Sequence, residues 1–213
     1  MFLKMKLQVA IDRVSLADAV QLARKLDGIA DIVEFGTSII KDYGFYEIQA
    51  ANVNLKHSLL LLDTKTNDEG QYEFEQGFKT GADILTVMGT AGQETLAGVY
   101  QIAEQKNKKV LIDLMGMNNK AILEIAKFPN AIYNLHNSHD AGKNTDLTNL
   151  VSDFRKNFPA IKNIAVAGSI DLEQAKKLAV QNEVQEVIVG SKIVHSNDPV
   201  NEASKFKEII NLC

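Results

Sequence analysis

The chain repeats one beat eight times: a short run of apolar, largely β-branched residues, then a stretch whose apolar residues recur at helical spacing. The runs are "LQVAID" (7–12), "DIVEFG" (31–36), "SLLLLD" (58–63), "DILTVMG" (83–89), "VLIDLM" (110–115), "AIYNLH" (131–136), "NIAVAG" (163–168) and "EVIVG" (186–190). Each is apolar almost throughout, the pattern of parallel strands covered on both faces. The stretches between them read as helices. In "SLADAVQLARKLDGIA" Ser15 stands as N-cap, and Leu16, Val20, Ala23 and Leu26 fall at helical spacing. "GQETLAGVYQIAEQKNKK", "DLEQAKKLAVQNE" and "NEASKFKEIINL" repeat the pattern. Strand-helix alternation predicts a parallel sheet. Eight units predict that it closes, giving an α/β protein of the (β/α)8 TIM-barrel class with one domain spanning 1–213. The alternative is an open doubly wound sheet. Its dinucleotide-binding form is weakened because no G-x-G-x-x-G turn follows the first run.

Composition narrows the setting. Hydrophobic residues make up 46% and charged residues 23%, which is ordinary for a globular protein. A formal net charge of -4 gives no general attraction for nucleic acid or an anionic membrane. Cys213 has no second cysteine to pair with, which fits a reducing cytoplasm. "MFLKMKLQVAID" does not read as a signal peptide, and no apolar run approaches a bilayer span. The expectation is a cytoplasmic protein with neither nucleic acid nor membrane as partner.

In a (β/α)8 barrel the reactive end is the one where the strands finish. The first run finishes in Asp12, the second carries Glu34, and the third finishes in Asp63 with Lys65 and Asp68 in the following loop. The fifth carries Asp113, the sixth finishes in His136, and the last two finish in Gly168-Ser169 and Gly190-Ser191. Ionisable groups gathered at one mouth repel or must be paired, and their desolvation is costly, so a purely structural barrel has no use for them. Carboxylates, an amine and a histidine make chemical sense around a divalent metal and an anionic substrate. The two glycine turns suit a phosphate, with exposed N–H groups, the Ser169 and Ser191 hydroxyls and the charge of Lys192.

The D-x-K-x-x-D of Asp63, Lys65 and Asp68 resembles the signature of the orotidine 5′-phosphate decarboxylase superfamily. "LQVAID", "DIVEFGT", "LLDTKTNDEG", "GADILTVMG", "VLIDLMG" and "VAGSI" fall in that superfamily's order over nearly the whole chain. Glu34, where the metal-free orotidine decarboxylases have a lysine, resembles the metal-dependent members, 3-hexulose-6-phosphate synthase and 3-keto-L-gulonate-6-phosphate decarboxylase. The resemblance implies that Glu34 and Asp63 hold Mg²⁺. It further implies that Lys65, Asp68 and His136 are catalytic, with Asp68 reaching the site of a neighbouring subunit in a homodimer with shared active sites. Asp12 and Asp113 would touch substrate, and Gly168, Ser169, Gly190 and Ser191 would hold its phosphate. The substrate class is a phosphorylated sugar, and the shared intermediate is a 1,2-enediolate.

Between the two activities, "VMGTAGQET", Asp113, Ala167 before Gly168, and "GKNT" (142–145) resemble the synthase, a lyase of the aldolase type acting on formaldehyde and ribulose 5-phosphate. "HNSHDA" (136–141) has the frame of the decarboxylase, with His139 in place of its arginine. Gly168-Ser169 replaces the usual Gly-Gly. A decarboxylase, or a sugar-phosphate binder without chemistry, is therefore the alternative to the aldolase. Plainer readings stand beside these. An isolated D-x-K-x-x-D is more often a surface turn, His136 could be a hydrogen-bonded core histidine, and Asp113 could serve the fold by pairing with Lys65. His57 and His195 read as structural or solvated, Lys192 could be merely solvated, and "KNKK" (106–109) reads as an exposed helix end.

Overall fold

The computed structural model describes residues 4–136 and 146–212. Eight parallel strands close into a barrel in sequence order: β1 (Lys6–Ile11), β2 (Ile32–Phe35), β3 (Leu59–Thr66), β4 (Ile84–Met88), β5 (Lys109–Asp113), β6 (Ile132–His136), β7 (Ile164–Ala167) and β8 (Glu186–Val189), with β8 pairing back onto β1. Around it lie α1 (Leu16–Leu26), α2 (Thr37–Ala50), α3 (Gly70–Lys79), α4 (Gln93–Gln105), α5 (Asn119–Ile125), α6 (Leu147–Asn157), α7 (Leu172–Gln181), the short α8 (Ser191–Val194) and α9 (Pro199–Asn211). This is the expected (β/α)8 TIM barrel, and the open sheet is excluded by the β8–β1 ladder. Ser15 and Asp171 cap α1 and α7, their side chains accepting from the N–H groups of Asp18 and Gln174. No helix among the described residues is long and apolar enough to cross a membrane.

The strands read as apolar throughout because two separate cores need them. Outward residues such as Leu7, Val9, Val33 and Phe35 pack under the helices. Ile32, Leu61, Ile84, Leu111, Ile132 and Ala165 fill the barrel itself. Side chains alternate between these faces with period 2. Counting up from the interior residues Ile32, Leu111 and Ile132, the next inward positions are Glu34, Asp113 and Asn134. The filled apolar layer therefore closes the floor beneath the polar groups and leaves them at the C-terminal mouth.

Two elements differ from the sequence expectation. Lys65, expected in the loop after the third run, lies within β3, which continues past Asp63 to Thr66. The β3–β4 register shifts between Leu62 and Thr66, a bulge whose pivot is Lys65 at φ 46°. The "KNKK" run is split. Lys108 pairs with Asp83 at 2.6 Å, while Lys109 begins β5 beneath the apolar layer.

That lower end holds a charge of its own. Glu186, 2% exposed, lies opposite Lys6 in the β1–β8 register, and its Oε1 has no hydrogen-bond partner among the described residues. Burial pushes its carboxyl up to about 7, against the pull of Lys6 and Lys109. A folded-state pKa above the unfolded one means that the native state holds the proton more tightly. This contribution to stability is full below about pH 4.5 and is lost as pH rises through about 7, a change on the order of 3 kcal/mol. Glu186→Gln is expected to melt with wild type near pH 5 and several degrees above it at pH 8. Parallel melting curves across that range would exclude the effect.

Candidate active site

A cavity of about 640 Å³ opens at the C-terminal ends of the strands, and every strand supplies part of its wall. Asp12, Glu34, Asp63, Lys65, Asp113, His136, Gly168, Ser169, Gly190 and Ser191 all line it. Closure of the barrel thus brings together residues scattered over most of the sequence. Asp68 is the exception among the expected residues. It is exposed beyond β3, where its Oδ1 accepts from the Glu69 N–H at 2.8 Å, and it does not line the cavity. His139 and the "GKNT" segment lie outside the described residues.

One wall is a continuous run of charges. Lys65 Nζ stands 3.1 Å from Asp63 Oδ2 and 3.1 Å from Asp113 Oδ2. The same Asp113 oxygen meets His136 Nδ1 at 2.8 Å, and Asp113 Oδ1 accepts from the Met115 N–H at 2.9 Å. Burial opposes charge on Asp113, which is 1% exposed. The His136 contact, Lys65 and the Met115 N–H more than offset it and hold the carboxyl below its usual range. Burial likewise works against the Lys65 ammonium, yet Asp63 and Asp113 raise it above its ordinary value. Asp113 therefore pairs with both Lys65 and His136. A carboxylate only accepts, so Nδ1 is the nitrogen that donates to Asp113, and Nε2 is the nitrogen not engaged by it.

Asp63 is fixed from three sides. Thr37 Oγ1 donates to Oδ2 at 2.5 Å, Thr86 Oγ1 donates to Oδ1 at 2.8 Å, and Lys65 bridges to the same carboxylate. Thr86 also accepts the Lys65 N–H at 2.8 Å. That N–H has left the β-ladder at the bulge, so a single hydroxyl stabilises the left-handed turn and orients the carboxylate. Glu34 accepts from Gln8 Nε2 at 2.6 Å through Oε2, while no described residue donates to Oε1. Burial first, then the charge of Asp63, pushes the Glu34 carboxyl well above its usual range. Two crowded carboxylates in a barrel interior call for a proton or a cation between them.

Asp12 is held at the rim. Its Oδ1 accepts from the Ser38 hydroxyl at 2.7 Å and the Ser38 N–H at 3.1 Å. Gly36 lies so close behind it that an added Cβ would stand 1.9 Å from Asp12 Oδ2, so only glycine leaves the carboxylate in place. Gly168 and Ser169 both take positive φ, 119° and 50°. Ser169 thus adopts a left-handed backbone where glycine would be unstrained. His195, expected to be structural or solvated, lines the mouth with Lys192 and Arg13. His57 is exposed, before β3 at the other end of the barrel.

The sequence reading missed Gln8, Thr37, Thr86 and Asn134, uncharged polar residues that now line the site. A signal for two of them was present. Gln8 shares strand parity with Asp12, and Asn134 with His136, so each falls on the inward face.

The sequence model of the orotidine 5′-phosphate decarboxylase / HUMPS family matches residues 5–206. The chain is 35% identical over 211 residues to a 3-hexulose-6-phosphate synthase of Mycobacterium gastri, covering 97% of this chain and 100% of that one. It is 32% identical over 212 residues to a protein of the same name from Staphylococcus epidermidis, covering 97% and 99%. A solved structure of 3-hexulose-6-phosphate synthase from Salmonella typhimurium superposes with TM-score 0.85 at 30% identity, covering 97% of this chain and 98% of that one.

Proposed function

The chain belongs to the orotidine 5′-phosphate decarboxylase / HUMPS family and is a carbon–carbon lyase; from that premise we propose that it condenses formaldehyde with D-ribulose 5-phosphate to 3-hexulose 6-phosphate, or runs the reverse cleavage, through a 1,2-enediolate. The observation that carries this reading is the relay Asp63–Lys65–Asp113–His136 along the cavity wall. The names of the full-length relatives support the aldolase over the decarboxylase.

Each residue has a task in the relay. Nε2 of His136, kept basic by the Nδ1 contact to Asp113, takes a C1 proton from the ketose phosphate. The electron pair left on C1 is shared across C1, C2 and the C2 oxygen as an enediolate. The Lys65 ammonium, fixed between two carboxylates, opposes the negative charge that develops there. C1 then forms a bond to the formaldehyde carbon, the C=O pair moves to oxygen, and the imidazolium returns its proton to that alkoxide. All atoms of both reactants end in the product.

A resident magnesium ion fits the donor set. Among the described residues no group of three histidine, cysteine or carboxylate side chains could cage a metal alone. Mg²⁺ commonly takes one or two carboxylates and leaves its other positions to water and substrate oxygen. Glu34 and Asp63 would hold it, and its charge would relieve the crowding that raises the Glu34 carboxyl. When bound it supplies Lewis-acid charge for an enediolate. Asp12 would bind sugar hydroxyls. Gly168, Ser169, Gly190 and Ser191 would receive the phosphate, with the cations of Arg13 and Lys192 at the rim. A homodimer with shared sites is part of the proposal, because it gives the outlying Asp68 a cavity to reach.

The test is loss of formaldehyde in the presence of ribulose 5-phosphate, with Mg²⁺ and with chelator, beside CO₂ release from 3-keto-L-gulonate 6-phosphate. The expected result is metal-dependent formaldehyde loss without CO₂ release. CO₂ release with little aldol activity would make the chain a decarboxylase. Neither activity would leave a sugar-phosphate binder.

A further inference from the structure

We propose that Asn134 is a further catalytic residue, whose side-chain NH₂ binds the carbonyl oxygen of the small electrophile and stabilises the alkoxide formed when the carbon–carbon bond is made. The inference rests on the aldolase reading above and assigns to one residue a task that reading leaves open. The relay of Asp63, Lys65, Asp113 and His136 serves the proton and the enediolate. It provides no separate donor for the oxygen of the second reactant.

Asn134 has the placement and the free valence for this. It is 3% exposed, deep in the cavity wall, next to Asp113 in the β5–β6 register and one inward position below His136. Its Oδ1 is buried without a hydrogen-bond partner, and no described residue accepts from its Nδ2. With Oδ1 turned into the wall, the NH₂ is the end that meets the cavity. With no described residue accepting from it, the NH₂ is left to be completed by an acceptor oxygen in the cavity, which is what the carbonyl of a small electrophile supplies. An N–H is the right group for the task, because it donates to an oxygen gaining charge and cannot compete with His136 for the proton.

The neighbours leave Asn134 as the group open to an electrophile on this part of the wall. Ile132 and Leu111 close the barrel below. Asp113 occupies the adjoining strand position with its oxygens already taken by Lys65, His136 and the Met115 N–H. A one-carbon aldehyde resting against this floor would meet Asn134, the uncharged side-chain donor that β6 presents to the cavity. The imidazolium of His136 lies one step higher on the same face, placed to return the proton once the bond has formed. Asn134 would stabilise the alkoxide until then and would neither gain nor lose a proton.

The consequence is a split between two half-reactions. Exchange of the C1 proton of ribulose 5-phosphate with solvent needs the enediolate but no formaldehyde. Carbon–carbon bond formation needs both. In Asn134→Leu and in Asn134→Val, which remove the donor without placing a charge beside Asp113, exchange should stay within about threefold of wild type. Formaldehyde-dependent kcat/KM should fall roughly 10²-fold in both. Circular dichroism melting identifies whichever variant keeps the fold, and one folded variant is sufficient. Unchanged addition in a folded variant, or exchange and addition falling together, overturns the assignment while the aldolase reading stands. Absence of both half-reactions in the wild-type chain overturns the aldolase reading, and this assignment with it.

Discussion

Asp63→Ala is expected to lower turnover by at least about three orders of magnitude while the barrel stays folded. Asp63 is the point where three separate devices meet: the Thr37 and Thr86 hydroxyls, the Lys65 ammonium, and the charge that crowds Glu34. Alanine removes the acceptor for the hydroxyls and the ammonium, and the charge itself. Glu34 loses its main repelling neighbour, so its carboxyl should move back toward the ordinary range, and one of the two proposed magnesium ligands is gone. The fold should survive, because the apolar layer of Ile32, Leu61, Ile84 and Leu111 lies beneath this residue and is untouched. Lys65 also keeps Asp113 as a partner. A stability loss of about 1–3 kcal/mol is the expected size for removing a buried acceptor. Asp63→Asn separates the causes, since it keeps the shape and removes the charge. The measurements are thermal melting by circular dichroism and activity titrated with Mg²⁺. Activity within a few-fold of wild type in the folded alanine variant would refute the role given to this carboxylate.

The second large effect concerns the base. His136→Asn is expected to slow C1 proton exchange of ribulose 5-phosphate by roughly 10²–10⁴-fold. Asp113→Asn is expected to cost nearly as much, although Asp113 touches no reacting atom in the proposed chemistry. Its single oxygen Oδ2 faces both His136 Nδ1 and Lys65 Nζ. An asparagine there carries no charge and can present a donor to the ring, so the tautomer with Nε2 free is no longer favoured. Two residues acting as one device lose function once, so the double variant should be hardly worse than either single one. Exchange is followed by deuterium entry at C1 without formaldehyde. If Asp113→Asn exchanges like wild type, or if the two losses multiply, the pair does not act as a unit.

The outline of the site could be read before any coordinates because charge is conspicuous in an apolar strand. Glu34, Asp63 and Asp113 interrupt runs that otherwise serve two cores, and a carboxylate in such a run is too costly to be incidental. His136 and the glycine turns stood out by ending their runs. Gln8, Thr37, Thr86 and Asn134 did not stand out, since an uncharged polar residue is common in strands and loops alike. Their importance comes from what they meet. Thr86 matters because it meets both Asp63 and the freed Lys65 N–H, and Gln8 because it meets Glu34 across the β1–β2 ladder. His195 follows the last strand by several residues, and only the short turn of α8 returns it to the mouth.

The sequence by itself determined the barrel and the end at which its chemistry lies. Eightfold alternation, doubly covered strands and strand-end polarity are local patterns, each set by neighbours within a few residues. What only the tertiary structure decided is who pairs with whom. The Lys65–Asp113 contact joins residues 48 positions apart, and His136–Asp113 joins residues 23 apart. Such contacts depend on the register of each ladder, on the bulge that carries β3 through Asp63 to Thr66, and on the closing of β8 against β1. Those are properties of the closed sheet as a whole, because inter-strand hydrogen bonds and not chain order set the distance between two side chains on its inner face.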